Sequence, residues 1–583
     1  MKKRINLFFI LFFLCSYLSY SQQTDKILVN IGNEVITVEE FVLSFQKNNQ
    51  LSRASEKELR EYLDLYINFR LKVKEGKALQ IDTAINFQKE FAAYRKQSAQ
   101  QYLIDKDVSE RLINEAKERL NYYIRASHIM MACDQNAAPK DTLAAYQKAL
   151  DIRNKILNKE MTFAQAAVRF SDDLSAKDTI NPSTGKKQYG NKGDLGYFTV
   201  FSLIYPFENG AYNTPVNSIS MPVRSIFGYH LIYVQDKIEA IERVSVAQIF
   251  VADTLAYKGI ASPETKNKLE TIQQELRSGK SFEDVVKEYS DDPNSRDNGG
   301  VMEPFQLNRR PGDFVKAAIS LNAGEISKPV ATIMGWHILK LIDILPQTMT
   351  DDEATFFVRT RVSRDSRSHL SKESFIAKLK REYQYTELQK EQAIKFLEKN
   401  IPDEFFVSNQ TNIQNLPKIG KLKPMAQFAN QKIMAPDFVN FLTKFRGVNL
   451  KESKRAFLEK HFNMYAEETL TKYEDARLEE KHPEFKELMN EYENGMILYE
   501  INSKNVWEKA MQDSIGLLKF YESIKTEYPA EEPNDTIQYK PLNDFKATII
   551  TRYQDYLDGI WVEGLKEKYP VTIREEVFRS LKK

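Results

Sequence analysis

A passage that occurs twice constrains the fold of this 583-residue chain more than any other feature. Each copy runs through a Ser-Asp-Asp motif and a glycine-containing turn, and each ends in glycine, an aromatic residue and histidine. The step from turn glycine to terminal histidine is 37 positions in both copies, from Gly193 to His230 and from Gly300 to His337. A constant step combined with loops of different length indicates a duplicated domain.

The pattern inside each copy predicts a small α+β domain. Residues 124–131 are predicted as a strand and residues 141–159 as a helix, while Thr162 and Ser281 each stand where a capping residue opens the next helix. Alternation along the last strand puts His230 on the same face as the residue two positions further on. Each copy is therefore expected to form a small antiparallel sheet with helices packed against it.

A weaker repeat brackets the first one. Residues 27–36 alternate like a hairpin, and the capping box that begins at Thr37 opens a helix. Residues 426–439 echo residues 29–42 at an offset of 397 positions. The sequence thus favours a helical module that occurs near both ends, with chance similarity between two amphipathic segments as the open alternative.

Helical segments are predicted on both sides of the duplicated passage. Apolar residues recur at helical spacing over residues 59–123 and 483–524, and residues 353–399 are predicted as a long charged helical stretch. The expected organisation is a signal at 1–21, a helical module at 22–120, repeated domains at 121–237 and 240–346, and a mainly helical region at 347–583.

The first residues have the pattern of a secretory signal. Basic residues at positions 2–4 precede an apolar run at 5–18 and small residues before Gln22. The run is shorter than the ~20 residues that a membrane-spanning helix needs, so an uncleaved anchor is the less favoured alternative. We expect cleavage before Gln22, export to the periplasm and no permanent membrane anchor.

The charge balance and the cysteine content limit the classes of protein to which this chain can belong. Removal of positions 2–4 takes three basic residues from 83 and leaves 80 against 81 acidic residues. This balance lacks the basic excess of a nucleic-acid-binding protein. Cys133 is the one cysteine outside the predicted signal, so we expect an exported protein that is stabilised by packing without a disulfide.

The residues of the first copy resemble the parvulin-type peptidyl-prolyl cis-trans isomerases. That family shares a strand histidine, an acidic or cysteine residue after Phe-Ser-Asp, a Gly-Asp-Leu-Gly-aromatic turn, a Pro-Phe-Glu helix segment and a final Gly-aromatic-His strand. These elements are His128, Asp173, residues 193–197, residues 206–208 and residues 228–230. With its helical flanks, the mature chain is similar to the SurA-type periplasmic chaperones, from which it departs by a longer C-terminal region.

The resemblance implies the site residues. Leu203, Phe207 and Phe227 fall at the proline pocket, His128 and His230 at the paired core histidines, and Asp173 near the substrate carbonyl. Rotation about an X-Pro bond meets a barrier of ~18–20 kcal/mol from amide resonance. A site lowers this barrier by holding the ring in an apolar pocket away from water. Two histidines on neighbouring strands can share one proton in a hydrogen bond, and we expect this bond to orient the two rings without proton transfer. Stabilisation of the sheet alone and a direct catalytic part remain the two alternatives for the pair.

The second copy departs from this pattern. Gln248 stands at the first histidine position, whereas Asp292, Phe314 and His337 remain as weak counterparts. Arg310 replaces the pocket residue that matches Leu203, and a long charged side chain disfavours a proline ring. We expect the first domain to be the enzyme and the second to be a weakened or binding-only copy.

The resemblance implies a periplasmic isomerase and chaperone. Its partners are expected to be unfolded or nascent exported proteins, above all outer-membrane proteins. The alternatives are a non-catalytic holdase and an adaptor of an envelope assembly that uses parvulin domains only for binding. No cofactor or metal is expected, because the sequence contains no HExxH, CxxC or Gly-x-Ser-x-Gly motif.

Overall fold

The computed structural model describes residues 26–47, 49–135, 137–180, 183, 185, 187–450, 452–530 and 539–582. The predicted signal at 1–21 lies outside the described residues. The chain divides into two compact units, residues 1–100 with 475–583 and residues 101–474. The predicted segments 22–120 and 347–583 therefore each contribute to both units. None of the helices in the described part of the chain has the length and apolar character needed to cross a membrane.

Helices and short antiparallel strands make up both units, as the α+β prediction requires. The strands are β1 (Ile27–Ile31), β2 (Glu34–Thr37), β3 (Tyr122–Ala132), β4 (Thr179–Ile180), β5 (Lys187–Gln188), β6 (Asp194–Phe198), β7 (Ser218–Ile219), β8 (Val223–Arg224), β9 (Gly228–Glu239), β10 (Ile241–Ala252), β11 (Val330–Ala331), β12 (Gly335–Pro346), β13 (Thr386–Glu387), β14 (Ala426–Phe428), β15 (Gln431–Ile433) and β16 (Val571–Ile573).

The helices are α1 (Val38–Gln46), α2 (Glu56–Ala78), α3 (Ile85–Ala99), α4 (Lys106–Leu120), α5 (Pro139–Leu157), α6 (Phe163–Phe170), α7 (Tyr205–Tyr212), α8 (Pro263–Arg277), α9 (Phe282–Tyr289), α10 (Gly312–Ile319), α11 (Asp351–Val362), α12 (Ser368–Glu382), α13 (Lys390–Asn400), α14 (Glu404–Val407), α15 (Ala435–Leu442), α16 (Lys454–Asp475), α17 (Leu478–Lys481), α18 (Pro483–Asn502), α19 (Glu508–Gln512), α20 (Ser514–Ile524), α21 (Lys546–Lys568) and α22 (Glu575–Ser580). The stretch predicted as helical over 353–399 forms three separate helices, α11, α12 and α13.

The first unit joins the two ends of the chain in one sheet. β1 pairs antiparallel with β2 on one side and with β16 on the other, so that Val29 lies opposite Ile573. Thr37 and Glu40 form the predicted capping box at the start of α1. Phe41 and Leu63 lie in one buried cluster with side chains from α21 and α22. This unit therefore needs both chain ends to complete its core.

The second unit contains both repeated domains. In the first domain the sheet order is β6-β3-β9-β7, and β8 also pairs with β9. In the second domain the order is β10-β12-β11, and the segment after Gly300 contributes only isolated bridges, such as that from Val301 to Ala247. The capping residues Thr162 and Ser281 open α6 and α9 as predicted.

An apolar cluster joins the two repeated domains. Tyr123 and Tyr197 of the first domain are buried in the same cluster as Phe314 of the second. Beside this cluster, the Arg125 guanidinium donates through Nη2 to Asp194 at 2.6 Å. The same nitrogen donates to Asp313 of the second domain at 2.8 Å. The copies therefore pack as a pair.

The remainder of this unit repeats the arrangement seen near the N-terminus. β14 and β15 form a hairpin that leads directly into α15, as β1 and β2 lead into α1. Phe438 on α15 and Phe462 on α16 are buried in the largest cluster of this region.

A steric constraint explains why the Gly-aromatic-His motif begins with glycine. Gly228 adopts a φ of +147°, and a Cβ built there would lie 2.0 Å from the carbonyl oxygen of Met131. Gly335 has a φ of +157° and the equivalent contact with the carbonyl oxygen of Val251 at 2.3 Å. Glycine thus lets the last strand of each domain start close to its neighbour.

We expect Gly228→Ala to destabilise the first domain by more than ~2 kcal/mol, because the new Cβ adds a backbone clash to an unfavourable φ. Amide hydrogen exchange in β3 and β9 measures this locally. Gly259→Ala is the matched control, since Gly259 also has a positive φ of +70° but no atom within 4 Å of the added Cβ. Equal exchange rates in β9 for both variants would contradict the steric argument.

Candidate functional site

The antiparallel pairing of β3 with β9 brings two histidines together. In this register His128 lies opposite Ile232 and Met130 lies opposite His230, so the histidines share one face of the sheet. Their rings stack with centroids 5.8 Å apart and planes inclined by 15°. Both side chains are buried.

Each histidine has its hydrogen-bond partner at the Nε2 atom. His128 Nε2 is 2.7 Å from Asp173 Oδ2, and His230 Nε2 is 2.7 Å from the Ser225 hydroxyl oxygen. Within the described part of the chain, both Nδ1 atoms are buried without a hydrogen-bond partner. The expected hydrogen bond between the histidines is therefore wrong, because nearly parallel, stacked rings do not direct their in-plane nitrogen atoms at each other.

The predicted pocket residues surround this pair to different extents. Phe207 is only 3% exposed and meets both imidazoles edge to face, at centroid distances of 5.6 Å from His128 and 5.3 Å from His230. Leu203 packs against the same apolar cluster as Phe207. Phe227 is 55% exposed and so presents its ring to solvent. Phe207 and Leu203 thus belong to one apolar floor, which contacts the histidine pair through Phe207.

Burial keeps the histidines uncharged. It lowers the pKa of His128, although the Asp173 carboxylate acts in the opposite direction. Burial and the neighbouring His128 lower the pKa of His230 to about 4. Burial alone would raise the pKa of Asp173, but hydrogen bonds from Ser175 and the interaction with His128 lower it overall. At neutral pH the site therefore combines a carboxylate with two neutral imidazoles.

The second domain replaces the histidine pair by a continuous hydrogen-bonded chain. His337 Nδ1 donates to Gln248 Oε1 at 2.9 Å, and Gln248 Nε2 donates to Asp292 Oδ2 at 2.7 Å. The other ring nitrogen of His337 is 2.9 Å from the Thr332 hydroxyl oxygen. Phe314 meets His337 edge to face at 5.2 Å, as Phe207 meets His230.

Arg310 borders a pocket in the second domain. The pocket has a volume of about 430 Å³, and its lining includes Gln248, Met302, Arg310, Met334 and His337. The guanidinium carbon of Arg310 lies 5.3 Å from the centroid of the Phe305 ring. Burial, with a contribution from the Arg310 charge, lowers the pKa of His337 to about 4.

Motif reading missed the hydroxyl groups that hold the terminal histidines. Ser225 and Thr332 each stand five positions before the histidine of their copy, so alignment of the two copies contained the signal. It also missed the ionic contacts of Glu208 with Arg119 and Arg367, for which the repeat offers no signal because Val315 occupies the matching position.

We expect the ring resonances of His230 and His337 to stay constant from ~pH 8 to ~pH 5 in an NMR titration of the folded chain, because burial disfavours the charged ring. The urea-unfolded chain, with histidine pKa values of ~6.5, is the control. Protons therefore bind the unfolded chain first, so the stability from these groups is present above ~pH 6.5 and is lost as pH falls toward 4. Titration of either ring near its unfolded value would contradict this burial.

Both repeated domains match known protein families. Residues 111–238 and residues 256–343 each match a family described as PPIC-type PPIASE domain. The chain is 27% identical to the chaperone SurA of Idiomarina loihiensis over 230 residues, which are 39% of this chain and 50% of that protein. It is also 27% identical to the chaperone SurA of Salmonella typhimurium over 241 residues, 41% of this chain and 52% of that protein.

The chain thus spans about half the length of the curated relatives it matches. A crystal structure of the peptidylprolyl isomerase PrsA from Bacillus anthracis has 26% sequence identity and covers 23% of this chain and 59% of that chain. The TM-score of this match is 0.17. The two domain matches and the curated relatives confirm the resemblance drawn from the motifs: the chain contains two PPIC-type, or parvulin, domains and is similar to the chaperone SurA over the part that matches.

Proposed function

We propose that this protein is a periplasmic peptidyl-prolyl cis-trans isomerase and a chaperone that assists the folding of exported proteins, including outer-membrane proteins. The observation that carries the isomerase proposal is the contact of Phe207 with both His128 and His230. Through this contact the apolar floor and the two buried imidazoles lie next to each other in one site.

The arrangement suits rotation about an X-Pro bond. A proline ring held against Phe207 and Leu203 leaves water, which otherwise stabilises the planar, charge-separated amide. The neutral imidazoles of His128 and His230 hold the floor of the pocket without placing a charge beneath the ring. The Asp173 carboxylate, oriented by its contact with His128 Nε2 at 2.7 Å, is the polar group for the substrate carbonyl region. No proton transfer is required for this reaction.

The second parvulin domain is proposed as a binding module. Its Gln248 satisfies His337 and Asp292 at once, and Arg310 brings a charge to the pocket that Leu203 keeps apolar in the first domain. An extended peptide still finds apolar contacts there with Met302 and Met334.

The chaperone proposal rests on apolar side chains that the first unit leaves in contact with solvent. An unfolded exported protein offers alternating apolar side chains, and a surface that binds it needs apolar area that its own core does not consume. The exposed large side chains of this unit include Leu65, Ile85, Tyr499, Met511, Ile515, Leu518, Tyr556 and Ile560. The predicted signal and the SurA relatives support the periplasmic location.

We expect Phe207→Ala in the full chain to lower kcat/KM for isomerisation of an X-Pro peptide at least ~100-fold. Without the Phe207 ring, the bound proline ring would be exposed to water. A protease-coupled assay measures it. Phe314→Ala is the matched control, since Phe314 is equally buried and meets His337 in the same geometry. Loss of activity in the control but not in Phe207→Ala would assign catalysis to the second domain.

We expect Ile515→Glu to weaken the suppression of aggregation when a urea-unfolded outer-membrane barrel protein is diluted into buffer, because a charge interrupts an apolar contact. Light scattering at equal molarity measures it. The control is Leu143→Glu on α5 of the first parvulin domain, where the exposed fraction is 64% against 72% for Ile515. A stronger effect of the control would place client binding in the parvulin domains.

A further inference from the structure

We propose that Arg367, outside both parvulin domains, is a positioning residue of the first parvulin site and acts through Glu208. This inference rests on the proposed isomerase function. Glu208 directly follows Phe207 on α7, so a group that fixes Glu208 also fixes the floor of the pocket. Arg367 lies between α11 and α12, well beyond the end of the second domain.

Glu208 is a buried carboxylate held by donors on both of its oxygens. Its side chain is 0% exposed, and its Oε1 atom accepts a hydrogen bond from Arg119 Nη1 at 3.0 Å. Its Oε2 atom accepts one from Arg367 Nη2 at 2.8 Å and one from the Phe201 backbone N–H at 2.8 Å. Loss of one cation would leave a partly uncompensated charge in the protein interior.

Arg367 is itself completely buried and oriented by several contacts. Its Nε donates to Asp365 Oδ1 at 2.8 Å, which sets the plane of the guanidinium. The guanidinium carbon lies 4.4 Å from the Phe201 ring centroid and 4.7 Å from that of Tyr205. Stacking between aromatic rings and bonding in the guanidinium plane are interactions that arginine makes and lysine does not.

These contacts hold the chain on both sides of Leu203. Phe201 has a φ of +64°, a left-handed conformation that is strained for a residue with a side chain, and Glu208 accepts its N–H. Tyr205 begins α7. Arg367 therefore bridges the loop that carries Leu203 and the helix that carries Phe207.

The two copies differ at this point. Val315 occupies the position that matches Glu208 and is fully buried, so the second domain fills it with an apolar side chain. A domain cut at the boundaries 121–237 would lack both Arg119 and Arg367. The first site is thus completed by Arg367, which lies beyond the end of both parvulin matches.

The test compares Arg367→Met with Arg359→Met in the full chain. Arg359 is an exposed residue on the same segment and binds Glu110 at 2.8 Å, so it controls for loss of an arginine there. The readouts are kcat/KM for an X-Pro peptide and the NMR shifts of the His128 and His230 ring protons. Those chemical shifts depend on the position of the Phe207 ring, because this ring lies edge to face with both imidazoles.

We expect Arg367→Met to lower kcat/KM about tenfold or more and to move both histidine resonances, since a displacement of ~1 Å at a site is enough for such a loss. Arg359→Met should change neither readout. If Arg367→Met fails to fold, Arg367→Lys is the second variant. Lysine keeps the positive charge but lacks the planar guanidinium donors, so we expect the same loss of kcat/KM and the same shifts of the histidine resonances.

Unchanged shifts and wild-type kcat/KM in folded Arg367→Met or Arg367→Lys would overturn the inference while leaving the isomerase proposal intact. If the wild-type chain proves inactive, the isomerase proposal fails, and the histidine shifts alone decide whether Arg367 positions Phe207.

Discussion

The first site depends on the antiparallel pairing of β3 with β9. This pairing sets His128 and His230 on one face, and no other pairing register would stack their rings 5.8 Å apart. It also requires a backbone approach at Gly228 that excludes any side chain. The repeated Gly-aromatic-His motif is thus explained by the geometry of the last strand. Its glycine lets the strand begin close to the neighbouring strand, and its histidine, two residues later, lies in the site.

The two repeated domains place different hydrogen-bond arrangements on the same pair of strands. A glutamine has a donor and an acceptor on one amide, so Gln248 links Asp292 and His337 without a break. Two stacked imidazoles cannot do this, and the first domain instead anchors each ring separately through Asp173 and Ser225. The second arrangement is fully hydrogen-bonded and suits a structural role. The first leaves both Nδ1 atoms buried and without a hydrogen-bond partner among the described residues.

Sequence reasoning recovered the local part of this picture. Motif order carried the resemblance to the parvulin family, and that resemblance placed His128, Phe207 and His230 in one site. Strand alternation then indicated which face of the last strand carries His230. Sequence reasoning failed where geometry depends on ring orientation, as with the expected histidine hydrogen bond. It also failed for Arg367, which reaches Glu208 across 159 positions of sequence and has no counterpart in the second copy. Burial of an ion pair between distant segments leaves no periodic signal.

The central claim is that the site of the first parvulin domain, with its two uncharged histidines, accelerates rotation about X-Pro bonds. Two-dimensional NMR exchange spectroscopy on a proline-containing peptide, with a catalytic amount of the full chain, tests it most directly. The account predicts cis-trans exchange cross-peaks on a sub-second timescale, against ~10–100 s for the uncatalysed process, together with shifts of the His128 and His230 ring resonances. Peptide binding that shifts those resonances without any exchange cross-peaks would contradict the claim and leave a protein that only binds.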